Sequence, residues 1–177
     1  QPLVIPPATS LLAVVRIETD SKKQPTLSRQ QLEATVRAIT SLVQVQKLQA
    51  VQIDFDATQS EREFYRRLLT ALRRSLEKSL PISITALASW CIHDDWLGGL
   101  AIDEAVPMLF RMGVGQREVV NYLKVHKQFR SRACRGSVGI SIDEPRVTLP
   151  AHQRKYLFNP KPWTARAIED AIKEFKR

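Results

Sequence analysis

The chain has 177 residues, of which 44% are apolar and 25% charged, and its formal net charge is +9 at pH 7. That length suits one compact domain, and the composition is that of an ordinary globular protein, which excludes disordered and collagen-like chains. No apolar run reaches the roughly 18 residues of a membrane-spanning helix. The positive residues are dispersed, and acidic residues accompany those of the segment 60–78, so no nucleic-acid partner is predicted.

The two cysteines, Cys91 and Cys134, have neither the paired spacing of a zinc site nor the density of a disulfide scaffold. They are predicted to be buried free thiols, with a disulfide as the alternative if the protein is exported. Residues 1–5 lack the charged and apolar regions of a signal peptide, so export would require that Gln1 follow a removed leader. No strand is followed by a glycine-rich phosphate loop, and no cofactor is predicted.

Stretches with strand character alternate along the chain with amphipathic helical stretches. The predicted strands are Leu11–Ile17, Ala50–Phe55, Ile82–Ala88, Ala105–Phe110, Ser137–Ile142 and Lys155–Phe158. The predicted helices are Ser28–Gln46, Ser60–Lys78, Gly115–Phe129 and Thr164–Phe175, with a short helix or turn at Asp94–Leu100. Ser28 is the predicted N-cap of the first helix, and Ser60 with Glu63 the predicted capping box of the second.

This alternation predicts a parallel sheet with helices packed outside it. A complete eightfold barrel of this kind takes about 250 residues. The chain, 1–177, is therefore predicted to be a single βα-repeat domain, either a reduced TIM-type barrel or the carboxyl-terminal six strands of a longer one. An open doubly wound sheet is the alternative fold.

The predicted second strand carries polar residues on one face, which is unusual in a parallel sheet covered by helices. Gln52, Asp54 and Asp56 are predicted to face a barrel interior, and the apolar residues between them to face the helices. Two other strands repeat the pattern. Because barrels keep their sites at the carboxyl ends of the strands, a site is predicted there. Its further inward-facing members are Arg16, Glu18, Ser141 and Asp143.

Asp54 and Asp56 lie two residues apart, so their carboxylates repel and one is expected to keep its proton to higher pH. The alternative is that Arg16 and Arg111 neutralise these aspartates in a buried network, or that Asp56 caps a loop. If the first two strands are adjacent and in register, Arg16 reaches Asp54. Loss of that pair would cost on the order of 3 kcal/mol if it is buried.

Two smaller groups of residues follow the third strand. His93, Asp94 and Asp95 are adjacent potential ligands, but no companion histidine stands at helical spacing, so no metal site is predicted. Trp90 and Trp96 flank the end of the strand. They form either a platform for a sugar ring or a lid over the core.

The stretch Ala50-Val51-Gln52-Ile53-Asp54-Phe55-Asp56 resembles the fourth-strand signature of chitinase-type glycoside hydrolases, where acidic residues alternate and the last is the proton donor. The resemblance implies that Asp56 is the general acid and Asp54 its partner. It also implies that Gln52 replaces an aspartate and that Trp163 stacks on a sugar. Residues 103–110 are similar to the sixth strand of that family.

The chain departs from that family at several positions. Asp56 is one carbon shorter than the glutamate of the family, which reduces its reach toward a glycosidic oxygen. Phe110 stands where the family has a tyrosine, and Arg111 replaces an acid. Because of these departures, the alternative is a protein that binds carbohydrate without hydrolysing it.

The chain resembles more closely a bacterial family catalogued as a domain of unknown function. That family has recurring strands that match residues 52–56, 85–87 and 107–113. The two resemblances predict a glycoside hydrolase-like protein that acts on or binds polysaccharide; the alternative is a non-catalytic carbohydrate-binding or scaffold module of the same fold. The predicted catalytic residues are Asp56 and Asp54, and the predicted substrate-binding residues are Trp163, Trp90, Gln52, Glu18, Arg16, Arg111 and Asp143.

Overall fold

A computed structural model describes residues 9–20, 22–23, 25–43, 48–145, 147 and 153–175. Strands and helices alternate through these residues, and all six predicted strands are present. The strands are β1 Leu12–Arg16, β2 Ala50–Asp54, β3 Ile82–Leu87, β4 Glu104–Met108, β5 Ser137–Ser141 and β6 Arg154–Phe158. The α-helices are α1 Arg29–Val43, α2 Arg62–Ser75, α3 Gln116–His126 and α4 Ala165–Phe175.

The strands follow the order β1-β2-β3-β4-β5-β6, so neighbours in sequence are neighbours in the sheet. The registered pairs are parallel. Because parallel strands are joined by right-handed crossovers, an order without a reversal places the connecting helices on one face of the sheet. The predicted α/β fold of a partial TIM-type barrel is therefore confirmed, and the doubly wound alternative, which needs a reversal, is wrong.

The chain divides into two compact units. The first unit comprises 1–84 with 100–103, and the second comprises 85–99 with 104–177. In the first unit, α1 packs against α2. Five apolar residues of α2 recur at helical spacing and are buried, so this helix covers the strands with one face. They are Phe64, Tyr65, Leu68, Leu69 and Leu72.

The ends of the helices in the first unit follow from local hydrogen bonds. Ser28 caps α1 as predicted, because its hydroxyl accepts a bond of 3.2 Å from the backbone N–H of Gln31. The predicted capping box of Ser60 and Glu63 is wrong. A 3-10 turn, Gln59–Glu61, leads into α2 instead. The predicted end of α1 at residues 44–46, like residues 1–5, lies outside the described residues.

The second unit contains a disulfide between Cys91 and Cys134, whose Cα atoms are 5.9 Å apart. The prediction of free thiols is therefore wrong. Both residues are fully buried. Short 3-10 turns carry them, and the backbone N–H of Ser131 donates a bond of 3.0 Å to the Cys91 carbonyl. Spacing of two cysteines in a sequence does not reveal pairing, since pairing depends on where the loops meet.

Two further features of the described residues bear on the predictions. The segment 94–100 forms a turn, as one of the predicted alternatives had it, with the Gly98 N–H donating 2.9 Å to the Asp95 carbonyl. Among the helices described, none is long and apolar enough to cross a membrane.

Candidate functional site

An open pocket of about 540 Å³ lies in the first unit, where the carboxyl ends of β1 and β2 meet. The residues that end β1 and β2 form its walls, together with the segments that follow each strand. Four of the predicted site residues share this pocket, which is the end of the strands where barrels hold their sites. They are Arg16, Glu18, Asp54 and Asp56.

Arg16 joins two of the pocket's carboxylates. Its position in β1 is in register with Asp54 in β2, and its Nη1 donates to Oδ2 of Asp54 at 3.0 Å. Its Nε donates to Oε1 of Glu18 at 2.6 Å. The side chain of Arg16 is 60% exposed and that of Asp54 is 21% exposed. The pair is thus formed as predicted, but the alternative of a buried neutralising network is wrong for Arg16.

Asp56 lies two residues beyond the end of β2 and is exposed. Partial burial of the carboxyl raises the pKa of Asp56, and the negative charge of Asp54 raises it further, while Arg16 opposes the shift. Within the described part of the chain, no hydrogen bond or salt bridge reaches this carboxylate. Asp56 is therefore the pocket carboxyl that tends to keep its proton.

Glu61 is a pocket residue that was not predicted from the sequence. It is only 3% exposed, and its carboxylate accepts bonds of 2.6 Å from the Thr19 hydroxyl and 2.8 Å from the Thr58 N–H. The Thr58 hydroxyl donates a third bond at 2.7 Å. Burial opposes ionisation, but these bonds outweigh it and lower the pKa of Glu61. The spacing Thr58-x-x-Glu61 is itself that of a capping box and was the available signal.

Gln52 is a buried residue of β2 and is not among the residues that line the pocket. It is 2% exposed, and its Nε2 donates to Oγ of Ser83 at 3.0 Å, in register across β2 and β3. Gln52 therefore supports the strand rather than lining the pocket.

Tyr65, in α2, packs against the same strand. Its hydroxyl donates to the Ile53 carbonyl at 3.2 Å, and its ring packs edge-on to Phe55. Burial raises the pKa of Tyr65 well above its usual value, and the charges of Asp54 and Asp56 raise it further.

Arg111 and Asp143 lie in the second unit. Arg111 has a left-handed backbone with φ of 50°, and its N–H donates to Oε1 of Glu144 at 3.0 Å, while its side chain is exposed. The carboxylate of Asp143 accepts a hydrogen bond from the Ser141 hydroxyl. Asp143 and Glu144, which follow β5, thus each accept a hydrogen bond from another residue of the second unit.

The predicted tryptophans differ in exposure. Trp90 is 4% exposed and packs edge-on against Trp96 with ring centroids 4.8 Å apart, which is the placement of a core side chain. Trp163 precedes α4 and is 42% exposed, so its ring is accessible to a ligand.

The adjacent residues His93, Asp94 and Asp95 do not converge on one point. His93 Nε2 lies 3.0 Å from a carboxylate oxygen of Glu118, while Asp95 pairs with Arg130 at 3.2 Å. Among the described residues, no group of three or more histidine, cysteine, aspartate or glutamate side chains is arranged to hold a metal ion.

The strand order and the pocket define an α/β protein of partial TIM-barrel type, with a cluster of carboxylates at the ends of its first two strands. The chain belongs to the family described as Domain of unknown function (DUF3142), whose family model matches residues 8–109, more than half of its length. The predicted membership of a domain family of unknown function is confirmed. The matched range contains every residue of the pocket. No curated protein and no solved structure matched the chain.

Proposed function

We propose that this protein is a glycoside hydrolase-like enzyme that acts on polysaccharide, with Asp56 as the general acid. One observation carries the proposal. Asp56, a carboxyl group with a raised pKa, lines an open pocket at the carboxyl ends of β1 and β2 beside a second carboxylate, Asp54. A general acid must hold its proton near the working pH, and a neighbouring negative charge helps it to do so.

In the proposed reaction, Asp56 protonates the oxygen of the glycosidic bond as that bond breaks, and a water molecule then adds to the anomeric carbon and returns a proton to Asp56. Asp54, held by Arg16, raises the pKa of Asp56 and supplies negative charge toward the oxocarbenium-like transition state. The resemblance of this strand to chitinase-type hydrolases supports the same two assignments. Glu18 lines the pocket as a supporting residue. In the second unit, Trp163 is a separate candidate for stacking on a sugar ring because its ring is accessible.

A second candidate is a carbohydrate-binding module without turnover. The favouring observation is that Arg16 already pairs with both Asp54 and Glu18, which partly neutralises two of the pocket's carboxylates. Asp56 would then be a hydrogen-bonding group for sugar hydroxyls rather than an acid.

Hydrolysis assays separate the two candidates. Wild type, Asp56→Asn and Asp95→Asn are incubated with a panel of polysaccharides that includes amino-sugar polymers, and released reducing ends are measured. Asp95 is the matched control, because it is an exposed carboxylate of the second unit that pairs with Arg130. We expect Asp56→Asn to lower kcat by roughly 10²- to 10⁴-fold and the control to retain full activity.

The same panel tests binding by sedimentation with the insoluble polysaccharides. Equal hydrolysis by wild type and Asp56→Asn would remove Asp56 from the mechanism. Binding by wild type without any release of reducing ends would establish the binding module in place of the enzyme.

A further inference from the structure

The Glu61 carboxylate connects two segments of the first unit that are distant in sequence. Its Oε1 accepts from Thr19, in the segment after β1, and its Oε2 accepts from Thr58, in the segment after β2. Both segments line the pocket that contains Asp56. Glu61 is buried, and hydrogen bonds to an ionised carboxylate are stronger than neutral ones, so the connection is a firm one.

The connection continues the pairing of the strands beyond their ends. Among the described residues, the last backbone bond between β1 and β2 runs from the Ile17 N–H to the Asp54 carbonyl at 2.8 Å. Beyond that bond, the Thr19 hydroxyl donates to the Glu61 carboxylate at 2.6 Å and so joins the segment after β1 to the segment after β2. Asp56 lies between Asp54 and Thr58 in the sequence, in one of the two segments that this bond holds together.

We infer that Glu61 is a positioning residue of the pocket, which holds the segments after β1 and β2 together through Thr19 and Thr58 and so keeps the Asp56 carboxyl partly buried. The inference rests on the proposed function only in that Asp56 is the proposed acid. Partial burial removes some of the water around the Asp56 carboxyl, and that loss of water is the first cause of its raised pKa. Opening the connection should therefore return the titration of Asp56 toward that of an ordinary aspartate.

The charges around Asp56 determine which substitution gives a clear answer. The charges of Asp54 and Arg16 act on the Asp56 carboxyl, and Tyr65 is a titratable group on which the charge of Asp56 acts in turn. The other charged groups that line the pocket are Glu18, Asp20, Lys23 and Glu61. Thr19→Val removes the hydroxyl that donates to Glu61 and changes none of these charges. A shift in the titration of Asp56 in that variant then reports on the partial burial of its carboxyl and not on a new electrostatic neighbour.

The test is an NMR titration of the Asp56 carboxyl carbon in the ¹³C-labelled chain, with the signal assigned from Asp56→Asn. We expect a midpoint above the ordinary aspartate value in wild type and a lower midpoint in Thr19→Val. Thr19→Ser keeps the hydroxyl and should restore the wild-type midpoint. Thr40→Val is the matched control, because its hydroxyl bonds the Val36 carbonyl within α1 at 2.9 Å.

Each outcome decides the inference without any substrate. A midpoint in Thr19→Val equal to that of wild type would overturn it, as would an ordinary midpoint in wild type itself. A lowered midpoint in Thr19→Val with a normal far-ultraviolet circular dichroism spectrum supports it. If that shift is found but no polysaccharide is hydrolysed, the proposed enzyme fails while the role of Glu61 in building the pocket stands.

Discussion

Arg16 and Asp54 occupy matched positions in neighbouring parallel strands, and a hydrogen bond of 3.0 Å joins their side chains. Because the Arg16 side chain is 60% exposed, solvent screens the pair. The cost of losing it therefore falls from the value of a buried pair, on the order of 3 kcal/mol, to that of a surface pair, about 0.5 kcal/mol.

Arg16→Met should accordingly lower the free energy of unfolding by about 0.5 kcal/mol at pH 7 and low salt. The loss should shrink at high ionic strength, since the Debye length falls to about 3 Å in 1 M salt. Urea denaturation with and without added salt measures both effects, with Asp54→Asn completing the double-mutant cycle. A salt-independent loss above about 2 kcal/mol would show that the pair is buried in solution.

Glu61→Gln should destabilise the protein by about 1 to 3 kcal/mol at pH 7, because an amide cannot accept the bonds from Thr19 and Thr58 at both of its ends. The pKa of Glu61 is lowered below its usual 4.5. Its stabilising contribution is thus complete above that value and is lost as pH falls through the lowered pKa of the folded state. Urea denaturation should therefore show a smaller difference in the free energy of unfolding between Glu61→Gln and wild type in acid than at pH 7.

The matched control for Glu61 is Glu63→Gln, two residues along the same chain segment. The Glu63 side chain is 74% exposed and lies 3.9 Å from Arg66, so its replacement should change stability very little. Equal effects of the two substitutions at pH 7 would contradict the buried placement of Glu61.

Asp56→Asn should raise the thermal stability at neutral pH. The pKa of Asp56 is raised on folding, so the folded state disfavours the ionised form and loses stability as pH rises from the unfolded pKa to the folded one. Asparagine carries no charge and avoids that loss. The gain in Tm should disappear in acid, where the carboxyl is protonated in both states. A lower Tm at pH 7, with the Asp95→Asn control unchanged, would contradict the raised pKa.

Removing the disulfide by Cys91→Ala with Cys134→Ala should destabilise the protein by roughly 2 to 4 kcal/mol, because the bond closes a loop of 43 residues in the unfolded chain. Thermal unfolding of this variant and of wild type measures the difference. Thiol titration of the denatured, unreduced wild type should find no free thiol. Two titratable thiols would show that the bond does not form.

The strands were predictable because their apolar alternation is a local property of the chain. The register of Arg16 against Asp54 was predictable for the same reason, once the two strands were placed side by side. The solvent exposure of the Arg16 and Asp54 side chains was not predictable from the sequence. It depends on the position of β1 at the edge of the strand order, where Val14 is also 57% exposed, and edge position is a property of the whole fold.

The site was predicted in part. Asp54 and Asp56 were found because polar residues on a strand of a helix-covered sheet are unusual. Glu61 was missed because its spacing to Thr58 and that of Glu63 to Ser60 fit a capping box equally well, and the bond from Thr19 that distinguishes them spans 42 residues. The pairing of Cys91 with Cys134 was missed because it too depends on two loops meeting in space.

The disulfide also determines what a protease can release from the second unit. A single cut of the backbone between Cys91 and Cys134 leaves both fragments attached to each other through sulfur. Such a nicked protein would migrate as an intact chain on a denaturing gel without reductant and would separate into two bands only after reduction. Backbone damage in this region, including α3, is therefore invisible to any assay of chain size that leaves the thiols oxidised.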